Sequence, residues 1–311
     1  MIDLSIIIIN YKTPALTEKC IESVYNTVSN AITFEIIVVD NHSEDDSEEL
    51  VTSVHKNVKW INNPINEGFG RANNLGIQLA KGKFVLLLNS DILLENDAIE
   101  RSINVISSIP NAGVLGCQPL NMDGSIQRFT STIASFRKLI DQNILFNYFF
   151  PARKLKTNAV MGSFMLFPKT VLTICGNFDP DFFMYSEEIE LCHRVSKKGF
   201  QIIHETNITI KHENGGSTPD RRWANRQSYL SSALLFYKIH GFCGYILYHF
   251  IKQSNYIMNF LIIWKFNKAF RKDFKIDFIN YFSVFKHYFT IPILYSRKTG
   301  KGKRILKYTM N

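Results

Sequence analysis

Three stretches of the chain are short and almost wholly apolar: Leu4-Ser-Ile-Ile-Ile-Ile9, Phe34-Glu-Ile-Ile-Val-Val39 and Phe84-Val-Leu-Leu-Leu88. A strand with one wet face would alternate, so runs this uniform are expected of strands covered on both faces. Val58–Ile61 and Val114–Cys117 are weaker runs of the same type. Between them the apolar spacing becomes helical, over Pro14–Val28, Phe69–Lys81 and Asn96–Ser108. Pro14 suits a first helical turn, where its missing N–H is no loss. Strand alternating with helix predicts an α/β domain: a mainly parallel, Rossmann-like sheet flanked by helices. Such sheets bind ligands at the carboxyl ends of their strands.

Polar residues stand at those ends. The first strong strand runs into Asn10-Tyr11, the second into Asp40-Asn41-His42-Ser43, and the third into Asn89-Ser90-Asp91. One Asp after a strand is ordinarily a turn or cap residue. Asp40 and Asp91 together predict a binding edge. Mg²⁺ and Mn²⁺ take oxygen ligands, commonly one or two carboxylates completed by substrate phosphates, and Asp91 on its turn suits that task. The segment Asn66-Glu-Gly68-Phe-Gly70-Arg71-Ala-Asn73-Asn74 opens a helix. Its glycines allow close backbone approach, and a helix N-terminus favours anions. It lacks a third glycine and does not follow the first strand, so a dinucleotide fingerprint is not expected.

Further along, Phe182-Phe-Met-Tyr-Ser-Glu187-Glu188-Ile-Glu190 places an acid cluster behind aromatic residues. On a helix, Glu187, Glu190 and Arg194 share one face while Glu188 points elsewhere. A solvated helix with a Glu190–Arg194 pair accounts for the cluster structurally. Its chemical use would be a carboxylate base within reach of an attacking hydroxyl. His212 follows the apolar run Ile208–Ile210 and precedes Gly215-Gly216. A lone His is more often structural, but one just beyond a strand can also complete a metal shell.

Composition divides the chain. Of its 311 residues, 46% are hydrophobic, enough for a sizeable core. The net charge is +9, but from Ser228 to Asn311 there are 14 Lys and Arg against two acids, a net +12. Residues 1–227 hold 22 basic and 25 acidic side chains, a net −3. The expected organisation is a catalytic α/β domain over 1–227 and a basic, aromatic helical extension over 228–311. In that extension the apolar stretch Phe242–Trp264 is interrupted by His249, Lys252, Gln253, Ser254 and Asn255, so a clean transmembrane helix is not expected. Amphipathic helices with basic and aromatic faces suit an anionic membrane surface. Packing on the catalytic domain or forming a homodimer is the other reading. Lys298–Lys307 forms a basic end, yet no nucleic-acid motif accompanies it. The five cysteines are odd in number and form no C-x-x-C pair, as expected of a reduced, cytoplasmic protein. Met1-Ile2-Asp3 shows no basic region before the first strand, so no signal peptide is expected.

In order along the chain, Ile6–Pro14, Ile37–Asn41, Asn66–Asn74, Leu86–Asp91, Asp123-Gly124, Gly162-Ser163, Gly176–Tyr185, Glu187–Cys192 and His212–Ser217 resemble family 2 glycosyltransferases of the GT-A fold. The likeness is greatest to rhamnosyltransferase-like members of bacterial surface-polysaccharide (O-antigen or capsule) pathways, and it covers roughly Leu4 to Thr218. It implies an inverting hexosyltransferase that moves sugar from a dTDP- or UDP-sugar to a lipid-linked or glycan acceptor. Asp40 resembles the acid that reads the nucleobase, beside Asn10, Asn41 and the packing ring of Tyr11. Gly68, Gly70, Arg71 and Asn73 resemble part of the nucleotide-sugar cradle, with Asn89, Ser90, Gly162 and Ser163. Asp91 resembles the last acid of the D-x-D metal motif, and His212 the His that contacts metal or diphosphate. Glu188 falls where the family has its catalytic Asp, with Glu187 as the alternative base. The chain departs from the family by Asn89 in place of the first D-x-D acid and by the extra methylene of Glu188. A sugar nucleotidyltransferase would need a glycine-rich basic loop after the first strand, which Asn10–Pro14 does not supply. A catalytically degenerate membrane scaffold is the remaining alternative. The expected location is peripheral, on the inner face of the cell membrane.

Overall fold

In the computed structural model, residues 2–127, 135–140, 158–213, 220–263, 268–300 and 305–308 are described. The elements run β1 (Leu4–Asn10), α1 (Pro14–Thr27), β2 (Phe34–Asp40), α2 (Ser47–Val54), β3 (Lys59–Asn62), α3 (Phe69–Leu79), β4 (Phe84–Asn89), β5 (Ile92–Leu93), α4 (Ala98–Ser108) and β6 (Ala112–Leu120). They continue through α5 (Phe136–Ile140), β7 (Phe164–Pro168), α6 (Lys169–Cys175), α7 (Glu187–Lys197), β8 (Gln201–His212), α8 (Arg221–Ile263), α9 (Lys268–Ser283), α10 (Phe285–Tyr288) and α11 (Ile291–Leu294). Two compact units result. The first holds Met1–Ser131, Thr157–Phe178 and Leu191–Pro219; the second holds Thr132–Lys156, Asp179–Glu190 and Asp220–Asn311.

The first unit is one sheet of order β3-β2-β1-β4-β7-β6-β8-β5. The three uniform apolar runs become its parallel centre, and Ile6, Ile7 and Ile8 are wholly buried, as covered faces require. Registers are level at the carboxyl ends: Asn10 lies opposite Asp40, Asp40 opposite Asn62, and Ile9 opposite Asn89. All the polar strand ends therefore reach one edge. On one face α3 approaches so closely that a Cβ on Gly76 would sit 2.5 Å from the Ile7 side chain. The sheet is mixed beyond β4. Strand β7 runs antiparallel to both β4 and β6, while β6 and β8 pair in parallel. The two-residue β5 folds back on the end of β8, setting Ile92 opposite His212. That return brings His212 beside Asp91.

The second unit is helical and aromatic. Its core joins Leu230, Leu234 and Phe236 to Tyr245, Tyr248, Tyr256, Tyr281 and Tyr288. Helix α8 breaks at Gly241, whose φ of 74° is a left-handed value suited to glycine. The break strips the carbonyls of Lys238 and Ile239 of helical donors, and the Arg297 guanidinium donates to both at 3.4 and 3.2 Å. By length and composition Arg221–Met258 could cross a membrane, yet half of its apolar window is buried within the unit. A packed helix passes the same test.

Candidate nucleotide-sugar site

Asp40 is held from three sides. The Asn10 Nδ2 donates to its Oδ1 at 2.7 Å, the Ser43 backbone N–H to its Oδ2 at 2.9 Å, and the Ser43 hydroxyl also donates to Oδ1. Asn10 is itself fixed by the Thr17 hydroxyl, which donates to its Oδ1 at 2.8 Å. Asn10 is fully buried and engaged at both amide atoms, so it orients Asp40. Residues Lys12, His42 and Glu44 all take left-handed φ, between 55° and 68°, on the two loops that frame this carboxylate. Non-glycine residues hold such values only where their surroundings over-determine them. Tyr11 stays exposed at 39%, a ring open to a partner face.

Asn41 ties the next strand end to the α3 loop. Its Nδ2 donates to Asn66 Oδ1 at 3.0 Å and to the Gly68 carbonyl at 3.3 Å. Its Oδ1 accepts from Asn63 Nδ2 at 3.0 Å and from the Glu67 N–H at 3.3 Å. Gly68, with φ 87°, turns the chain into α3, whose first turn carries Gly70 and Arg71. Arg71 donates to Glu67 at 3.0 Å, and Asn73 is buried with its Nδ2 on the Phe69 carbonyl.

The most informative geometry lies past β4. The Asp91 carboxylate is only 4% exposed, and its Oδ1 has no hydrogen-bond donor. His212 Nε2 stands 3.5 Å from that oxygen. Gln127 settles the ring's tautomer: its Nε2 donates to the His212 carbonyl at 2.7 Å, which turns Oε1 toward Nδ1 at 3.0 Å. Amide oxygen only accepts, so Nδ1 carries a proton, and in the neutral ring the lone pair falls on Nε2, the atom facing Asp91. Asn89 Oδ1 and Ser163 Oγ are also buried without partners, and their backbones meet where the Asn89 N–H donates to the Ser163 carbonyl at 3.0 Å. Ser90 is buried with its hydroxyl 3.4 Å from Thr13, and Gly162 precedes Ser163. Buried polar atoms left unpaired in a group point to a missing ligand. The anionic oxygen suits a hard divalent cation such as Mg²⁺ or Mn²⁺, and a neutral imidazole beside it could add a nitrogen ligand. Among the described residues no cluster of three or more His, Cys, Asp or Glu could hold a metal, so substrate phosphates would complete the shell. Gly215 and Gly216 lie outside the described residues.

The acids Glu187 and Glu188 open α7 in the second unit. Glu187 is 3% exposed with an unpartnered Oε2, whereas Glu188 is half-buried. Burial raises the Glu187 carboxyl well above its ordinary range, and the neighbouring Glu188 charge adds to this. Burial likewise pushes Glu188 up to about 7, against stabilising backbone N–H groups at the helix start. A carboxylate of that basicity suits proton removal near neutral pH. Arg194, on the same helix, donates to the carbonyls of Cys175, Gly176 and Asn177.

Sequence reasoning placed Ser43 among the polar residues after the second strand without giving it a role, and it missed Asn63 and Gln127; Gln127 lies 85 residues from the His it orients.

An α/β sheet of this order, with its polar strand ends on one edge and a helical addition, is the GT-A architecture of glycosyltransferases. A mannosyltransferase from Pyrobaculum calidifontis, solved with GDP-Man and Mn²⁺, superposes with a TM-score of 0.58 at 12% identity, over 90% of this chain and 86% of that one. Staphylococcus aureus TarS with UDP gives a TM-score of 0.52 at 14% identity, over 84% of this chain and 73% of that one. The chain belongs to glycosyl transferase family 2, whose model matches residues 5–176. A low-salt glycan biosynthesis hexosyltransferase of Haloferax volcanii is 29% identical over 64% of each chain. A poly-beta-1,6-N-acetyl-D-glucosamine synthase of S. aureus is 26% identical over 59% of this chain and 45% of its own. The chain thus spans about two thirds or less of the length of these relatives.

Proposed function

We propose that this protein is an inverting hexosyltransferase of glycan or polysaccharide biosynthesis. It moves a sugar from a nucleotide diphosphate donor, a dTDP- or UDP-sugar with rhamnose among the candidates, to a hydroxyl on a lipid-linked or glycan acceptor. The observation that carries this reading is the buried Asp91 oxygen without a hydrogen-bond donor, 3.5 Å from the Nε2 of His212.

Asp40, fixed by Asn10 and Ser43, reads the base, while Tyr11 offers its exposed ring as a packing face. The α3 loop, with Gly68, Gly70, Arg71 and Asn73, cradles the nucleotide-sugar, supported by the polar atoms of Asn89, Ser90, Gly162 and Ser163. Asp91 and His212 would hold Mg²⁺ or Mn²⁺, which would supply positive charge toward the diphosphate. Glu188 takes the proton of the acceptor hydroxyl as that oxygen attacks C1 opposite the leaving group, with Glu187 as the alternative base. The names of the relatives, a hexosyltransferase and a glycan synthase, support the sugar class. The helical unit, with its +12 charge over 228–311 and exposed Phe and Ile, rests on the anionic inner face of the membrane. A homodimer through the same helices is the competing use of that surface.

Glu188→Gln tests the base. It should bind nucleoside diphosphate as the unmodified protein does, melt at a similar temperature and lose transfer by about 10²-fold or more. Near-normal transfer by this variant would remove Glu188 from the mechanism.

A further inference from the structure

The second unit contains a buried charge cluster that the proposed mechanism does not use. Lys238 Nζ lies 2.6 Å from both Asp179 Oδ2 and Asp181 Oδ2, and all three side chains are at most 2% exposed. Lys238 is on the first half of α8, and the two acids are on the loop that leads to Glu187. A buried ion pair is weak as a source of net stability, because desolvation offsets the attraction. Its effect is geometric: each acid has one place to be.

Residues 298–300 contact this cluster, and residues 306–308 contact the same loop and the helix beside it. The Gly300 N–H donates to Asp179 Oδ1 at 3.0 Å, and the Lys298 carbonyl lies 3.5 Å from Lys238 Nζ. The Leu306 N–H donates to the Asp181 carbonyl at 2.9 Å, and Leu306 pairs with Phe182 in a parallel bridge. Lys307 sits over the Phe183 ring at 4.5 Å. Gln227 joins the two lines: it donates to the Leu306 carbonyl at 2.9 Å and the Met184 carbonyl at 3.5 Å, and accepts from the Tyr308 N–H at 2.7 Å. Ser231 donates to the Met184 carbonyl at 2.7 Å.

Immediately after Met184 come Tyr185 and Ser186, each at φ 70°. Two consecutive non-glycine residues in the left-handed region are strained and persist only where the surroundings over-determine them. The Ser186 carbonyl then accepts the Glu190 N–H at 3.0 Å, starting the helix on which Glu187 and Glu188 are the first two residues.

We propose that residues 297–300 and 305–308 act as a strap that, through Lys238, Gln227 and the 179–184 loop, forces the strained turn at Tyr185-Ser186 and so sets the aim of Glu188. Lys238 and Gln227 are positioning residues, and the proposal rests on Glu188 being the base. The donor-binding residues named above belong to the other unit, so loosening the strap should lower turnover and leave donor affinity alone.

Two variants test this: the chain ended after Ser296, and full-length Leu306→Pro, which removes the N–H that donates to Asp181 together with the buried Leu306 side chain. Affinities for UDP, GDP and dTDP and the donor KM should match the unmodified protein. The kcat should fall at least tenfold, and the acidic midpoint of the pH–rate profile should move. A synthetic peptide of residues 297–311, added to the shortened chain, should restore both kcat and the midpoint. Folded variants with unmodified kcat and pH profile would overturn the strap, as would a loss confined to KM. If the shortened chain does not fold, Leu306→Pro decides alone. Normal transfer by Glu188→Gln alongside impaired strap variants would condemn the base assignment and spare the strap's effect on rate.

Discussion

At the level of single residues, the account depends on which atoms are left free. Asp91 and His212 were legible from sequence because they end strands, where an α/β sheet collects its ligands. Their relation was not, because it depends on the two-residue β5 pairing with β8 and on Gln127 bonding both the backbone carbonyl and the Nδ1 of His212. Gln127→Leu removes the acceptor that fixes the Nδ1 proton. Metal affinity should then fall about 10–100-fold with donor affinity in the metal-saturated state little changed, as Mn²⁺ titration of nucleoside diphosphate release would show. The acid pair predicts a pH dependence. As the proposed base Glu188 would act only when ionised, and burial raises it to about 7, so the rate should rise with pH and reach half its plateau near 7. A profile already flat from pH 5 would mean that the rate does not depend on this carboxyl.

At the level of elements, the apolar runs announced β1, β2 and β4 well, and the caps and spacing announced α1, α3 and α4. The antiparallel β7 and the return strand β5 left weaker traces, since their placement depends on partners far away in the chain. Helix α7 shows the same limit. Its Glu190–Arg194 spacing suggested a pair along the helix, and gave no sign that the Arg194 guanidinium forks onto the carbonyls of Cys175, Gly176 and Asn177. Arg194→Ala leaves those carbonyls without their donor and should destabilise the fold by about 1–3 kcal/mol, read as a lower denaturant midpoint. Arg194→Lys should recover only part of this, because an ammonium lacks the planar fork. A midpoint unchanged in Arg194→Ala would show that water replaces the guanidinium at no loss.

At the level of the whole chain, composition gave the clearest early signal, a basic and aromatic stretch after a slightly acidic one. What composition could not show is that Asp179–Glu190 groups with the helices, since this depends on buried contacts to Lys238, Gln227 and Leu306. Beyond the Gly241 break, Phe242, Ile246, Phe250 and Ile257 are exposed, while Tyr245, Tyr248, Asn255 and Tyr256 are buried. The apolar side chains thus face outward and the more polar ones inward. Phe250, at 67% exposure, is the most open of these. Phe250→Asp together with Ile246→Asp should abolish binding to vesicles containing phosphatidylserine and leave soluble-donor hydrolysis unchanged. If both vesicle binding and activity persist while a dimer dissociates, the face joins two copies of the chain instead.

The reading of this protein as a metal-dependent glycosyltransferase meets its most direct test in nucleoside diphosphate release from a panel of UDP-, dTDP- and GDP-sugars, with a lipid-linked acceptor, Mg²⁺ or Mn²⁺, and a chelator control. The account predicts release from at least one uridine or thymidine donor, lost with chelator and lost in Asp91→Ala protein that remains folded. No release from any donor with metal and acceptor supplied, or release indifferent to both chelator and Asp91→Ala, would contradict it.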